Sequence, residues 1–65
     1  MDAATHIARL RAAGWSIRQI AVALSASSRQ VFRWAAGTHE PLPVFARALA
    51  ELAARPAAPP EDAAA

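Results

Sequence analysis

A serine-rich break, Ser25-Ala26-Ser27-Ser28, divides two short stretches of helical periodicity, and this punctuation constrains the fold more than any other feature of the 65 residues. Before the break, Ile17 to Leu24 carries Ile20, Ala21 and Leu24 on one face. After it, the stretch from about Ser28 to Ala36 carries Val31 and Trp34 three positions apart. Serine competes with the helical backbone through its own hydrogen bonds, so it favours caps and turns over helix interiors. Two helices joined this tightly must cross closely, which demands a small side chain at the crossing, and Ala21 supplies it. The pattern describes a helix-turn-helix, with Ile20, Leu24, Val31 and Trp34 locking its halves together.

The remaining chain extends the helical reading to an all-α, small four-helix domain. Hydrophobic residues make up 55% of the sequence, but aromatics only 6%, and most of the rest are alanines. With Tyr 0 and Gly 2, the side chains and turns that sheets need are missing. The first helix is expected over Asp2 to Ala13, with Ile7 and Leu10 inward and Ala3 and Gly14 completing the stripe. Gly14 is expected to stop it, Trp15 to plug the core, and Ser16 to cap the second helix. Gly37 ends the third helix. Thr38 to Pro43 reads as a loop, because two prolines in three residues prevent helix continuation. A fourth helix opens at Pro43 or Val44, with Phe45, Leu49 and Leu52 on one face and Arg47 and Glu51 on another. From Pro56 onward three prolines and no large apolar residue predict a disordered tail. The organisation is therefore a helix-turn-helix domain over 1–55 and a tail over 56–65. With Cys 0 there is no disulfide or thiolate metal site to staple so small a core, so dimerisation is a natural source of stability.

Charge is segregated along the chain. Up to His39, five arginines (Arg9, Arg11, Arg18, Arg29, Arg33) face the single acid Asp2. Beyond it, Arg47 and Arg55 are outnumbered by Glu40, Glu51, Glu61 and Asp62. GC-rich coding drift explains an abundance of alanine and arginine but not this separation. A basic front on a small domain points to a polyanion such as nucleic acid. The N-terminal MDAATHIARL lacks the basic region and long apolar core of a signal peptide, and no apolar run is long enough to span a membrane. A cytoplasmic, nucleoid-associated protein is expected.

On the third helix Ser28, Arg29, Phe32 and Arg33 fall opposite Val31 and Trp34 or along the edge of that face. An arginine there can make the bidentate guanine contact that most often specifies sequence. Ser27 or Ser28 caps this helix and leaves its first turn open to a duplex. Phe32 has two readings, contact with a thymine methyl or packing against the first helix. Arg18 reads as a phosphate contact. Trp15 and Trp34 read as core plugs rather than base-stacking platforms.

From Leu10-Arg11-Ala12-Ala13-Gly14-Trp15-Ser16 through Ile20-Ala21, Leu24, Ser27, Val31 and Trp34 to Gly37 and Pro41, the sequence resembles the lambda-repressor/Cro-type (XRE-like) DNA-binding domain. The resemblance covers roughly His6 to Ala54. It implies a third helix in the major groove and a homodimer on a palindromic double-stranded DNA operator. Ser28, Arg29 and Arg33 would contact bases; Ser16, Arg18, Ser27, Thr38 and His39 would contact phosphates. Many relatives regulate phage or mobile-element genes, and very short ones include anti-CRISPR-associated repressors. Three departures stand out. Ile17 replaces a phosphate-donating glutamine, Ser25 replaces the turn glycine, and the fifth helix is absent or merged. The last departure exposes one side of Phe45, Leu49 and Leu52, which makes them the expected dimer interface.

Other chemistry is expected to be absent. His6 and His39 lack ligand-spaced partners for a metal. The serines have neither a histidine base nor a nucleophile elbow, so the chain is not expected to be an enzyme, and no cofactor or small-molecule ligand is indicated. Two other functions compete with the repressor: a protein-interaction module such as an antitoxin, and the DNA-binding arm of a transposase or recombinase with homeodomain-like helices.

Overall fold

The computed structural model describes residues 2–55; the tail expected over 56–65 lies outside the described residues. Four helices and no strands are present among them: α1 (Ala3–Ala12), α2 (Ile17–Leu24), α3 (Ser28–Ala36) and α4 (Pro43–Ala54). The protein is all-α, as the periodicity predicts.

The starts of α1, α2 and α3 each follow from a local side-chain bond. Asp2 is the cap of α1 rather than its first residue, and its carboxylate accepts from the Thr5 backbone N–H at 2.9 Å and the Thr5 hydroxyl at 2.7 Å. Ser16 Oγ accepts from Gln19 N at 3.0 Å while Gln19 Oε1 accepts from Ser16 N at 2.7 Å. Ser27 and Gln30 repeat this reciprocal arrangement, with 3.1 Å in both directions. A serine cap of this kind is typically worth about 1 kcal/mol. It also resolves the choice between Ser27 and Ser28 in favour of Ser27. The α4 start has no side-chain cap; Pro43 at its first turn suits a position where a backbone donor has no helical acceptor.

The ends of α1, α2 and α3 share one solution. Trp15 N donates to Leu10 O at 3.0 Å, Ala26 N to Ala21 O at 2.9 Å and Thr38 N to Arg33 O at 3.2 Å. Each is the six-to-one bond of a Schellman motif, and each passes over a residue with positive φ: Gly14, Ser25 and Gly37. Ser25, at φ 56°, is the single non-glycine residue in that role among the described residues. Gly14 is exposed and serves this turn; it does not complete the α1 stripe.

The core comprises Ile7, Leu10, Trp15, Ile20, Ala21, Leu24, Val31, Trp34, Leu49 and Ala53. α1 touches all three other helices, α2 packs on α3, and α2 also meets α4. Ala21 is buried at 2% exposure, as the helix crossing requires. Leu49 requires a correction. It is fully enclosed by its own chain, so it offers no surface to a second subunit and cannot belong to a dimer interface. Phe45 and Leu52 are only partly buried, and Ala53 takes the second deep position on α4.

Candidate nucleic-acid interface

α3 is presented to solvent by the same periodicity that buries it. Val31 and Trp34 are held in the core at 0% and 5% exposure. At about 100° per residue the outward face then carries Arg29, Phe32, Arg33 and Ala36, with Ser28 at its edge. All five are exposed. Phe32 is 64% exposed and stands outside the buried cluster, so the reading that packs it against α1 has no burial to support it. The surface therefore brings together two guanidinium groups one helical turn apart and a large aromatic ring beside them.

Residues expected near phosphates fall at the helix ends. Ser16 and Arg18 lie at the start of α2, both exposed, with the Ser16 oxygen occupied as a cap. The Ser27 hydroxyl donates to Gln30 Oε1 at 3.3 Å, in addition to accepting from Gln30 N. Thr38 turns its hydroxyl back onto the Arg33 carbonyl at 3.2 Å, and His39 Nδ1 lies 3.3 Å from the Thr38 oxygen. Both hydroxyl groups are thus engaged in holding α3, which makes them supports of the surface before they are contacts. Where α2 has Ile17 in place of the expected glutamine, the isoleucine is partly buried against the core.

Gln19 and Gln30 were not anticipated. Gln19 is buried at 7% exposure and Gln30 is exposed, yet each closes a capping box that aims the start of its helix. The signal was present as the spacing Ser-x-x-Gln, which occurs twice: Ser16 to Gln19 and Ser27 to Gln30. Among the described residues no group of three or more histidine or acidic side chains could hold a metal, and no helix is long and apolar enough to cross a membrane.

The sequence profile of the homeodomain-like domain matches residues 4–42, more than half of the chain. The chain belongs to the homeodomain-like family. That span takes in α1, α2, α3 and the loop as far as Leu42, so this homeodomain-like unit is the three-helix core with the helix-turn-helix inside it. The domain is thus of the helix-turn-helix DNA-binding type; the match is to the homeodomain-like form of that motif and not to the lambda-repressor/Cro-type domain that the sequence resembles. No curated protein and no solved structure matches the chain.

Proposed function

We propose that this homeodomain-like domain is a sequence-specific double-stranded DNA-binding transcriptional regulator, a repressor or autoregulator that lays α3 in the major groove. The observation that carries this reading is the outward face of α3. Arg29 and Arg33 project from the side opposite the buried Val31 and Trp34, on a helix whose first turn is capped by Ser27 and open to solvent. Such an arrangement suits bidentate arginine contacts to guanine, with Ser28 at the edge of the same face. Arg18 and Ser16 at the α2 start, and His39 beyond α3, flank that face as phosphate-binding candidates.

The regulator acts as a homodimer on an inverted repeat, as in the lambda-repressor/Cro-type domains that the sequence resembles. With Leu49 sealed in the core and Phe45 against Trp34, Leu52 is the remaining partly buried leucine of α4; it lines a shallow surface with Leu24 and Ala48. The second reading, a DNA-binding arm of a transposase or recombinase, is favoured by the family match ending at Leu42, before α4.

Selection from a random duplex pool at near-physiological salt separates these outcomes. An enriched inverted repeat with half-sites about 34 Å apart supports the dimeric regulator. A single enriched half-site supports the arm. Recovery without sequence enrichment, with binding that vanishes as salt rises, leaves only phosphate attraction and sinks the sequence-specific reading.

A further inference from the structure

Phe32 is the feature of the α3 surface that arginine chemistry leaves unexplained. It is one of four large hydrophobic residues among those described that are more than half exposed, and it alone of the four lies on α3. Its position on the helix is three residues after Arg29 and four after Ser28, so on the helix surface it is a direct neighbour of both, with Arg33 on the other side of Arg29. A duplex seated over Arg29 on this exposed face has the ring beside it. The major groove presents few apolar groups; the C5-methyl of a pyrimidine is the one on base edges, and apolar side chains are its usual contacts.

We propose that Phe32 reads a pyrimidine C5-methyl group, that of thymine or of 5-methylcytosine, adjacent to a guanine contacted by Arg29 or Arg33. This inference rests on the DNA-reading role of α3 proposed above. The chemistry follows from surface complementarity. The arginines satisfy the acceptors of guanine, and the ring face of Phe32 covers the methyl group beside them and removes both from water. Removing one methyl group from that contact should lower affinity about fourfold, the factor equivalent to about 0.8 kcal/mol for one buried carbon group. A site whose reading pyrimidine is cytosine would gain by the same factor on methylation, which would make binding responsive to the methylation state of the DNA.

The experiment uses the full chain and the duplex enriched from the random pool. Each thymine is replaced singly by uracil, which deletes only the methyl group, and each cytosine singly by 5-methylcytosine. Affinities are compared for the wild type, Phe32→Ala and Phe32→Leu, with circular dichroism to verify that the exposed substitutions leave the fold intact. The expected result is one position at which uracil weakens, or 5-methylcytosine strengthens, wild-type binding about fourfold. Phe32→Ala loses that discrimination and Phe32→Leu retains most of it. A thymine position identifies the ordinary base as the source of the methyl group, and a cytosine position identifies the modified one. Wild type and Phe32→Ala responding alike at every position overturns the proposal while leaving DNA reading by α3 intact. A pool that yields no enriched sequence overturns that reading, and this inference with it.

Discussion

Trp34 and Phe45 lie with their ring centroids 5.5 Å apart and their planes tilted by 39°. This contact is a side-chain bridge between two helices whose backbones stay apart, because no Cα of α3 comes within 8 Å of α4. Aromatic pairs in this range add about 0.5–1.5 kcal/mol beyond the area they bury. Phe45→Ala should therefore destabilise the domain by about 2 kcal/mol, including the lost burial of a partly exposed ring, and Phe45→Leu by about half of that. Urea unfolding followed by tryptophan fluorescence measures both. An unchanged midpoint for Phe45→Ala would mean that α4 contributes nothing to holding α3.

Among the described residues Ser25 occupies the one left-handed turn position without a glycine, between the two helices of the helix-turn-helix. A left-handed conformation costs an ordinary L-residue about 1–2 kcal/mol, whereas glycine adopts it freely but loses about 0.5–1 kcal/mol more backbone entropy on folding. Ser25→Gly should accordingly gain about 0.5 kcal/mol in chemical denaturation, and Ser25→Val should lose more than 1 kcal/mol through β-branching. A destabilised glycine variant would show that the serine side chain does something useful at the turn.

The Asp2 carboxyl is held below its ordinary pKa of 3.8. The first cause is the hydrogen bond from the Thr5 hydroxyl, and the second is that from the Thr5 backbone. The unfolded chain therefore binds the proton more readily, so the charged cap stabilises α1 fully above pH 3.8 and loses its contribution as pH falls below it. Asp2→Asn should melt at a lower temperature than the wild type at pH 6, with the difference narrowing as pH falls below 3.8. A difference that stays constant from pH 6 to about pH 2 would remove the ionised cap as its cause.

Arg29 and Arg18 should separate base reading from phosphate attraction. Arg29→Ala is expected to cost about 1–3 kcal/mol on the selected duplex and to relax preference at one base position. Arg18→Ala should weaken binding to all duplexes alike and reduce the salt slope by about 1. Fluorescence anisotropy across a salt series distinguishes them, and a uniform loss for Arg29→Ala would reassign it to the backbone.

The local grammar was legible in the residues. Periodicity placed α2 and α3 within their observed bounds, Gly14 and Gly37 marked two helix ends, Ser16 marked the start of α2 and the Ser27-Ser28 pair that of α3, because caps and turns are decided by neighbours within about five positions. The Ser-x-x-Gln pairs are equally local and equally readable, since each glutamine meets its own serine three positions back. Burial of α4 was different in kind. Phe45, Leu49 and Leu52 share one stripe, and a stripe alone does not say which member another helix will cover. The packing of α4 on α1 sealed Leu49, set Phe45 against Trp34 and left Leu52 half open. The orientation of α3 combines both levels. Sequence by itself determined that Arg29, Phe32 and Arg33 oppose Val31 and Trp34, since helix geometry permits nothing else. Only the tertiary structure decided that this opposite face meets water, because exposure depends on what the other helices leave uncovered.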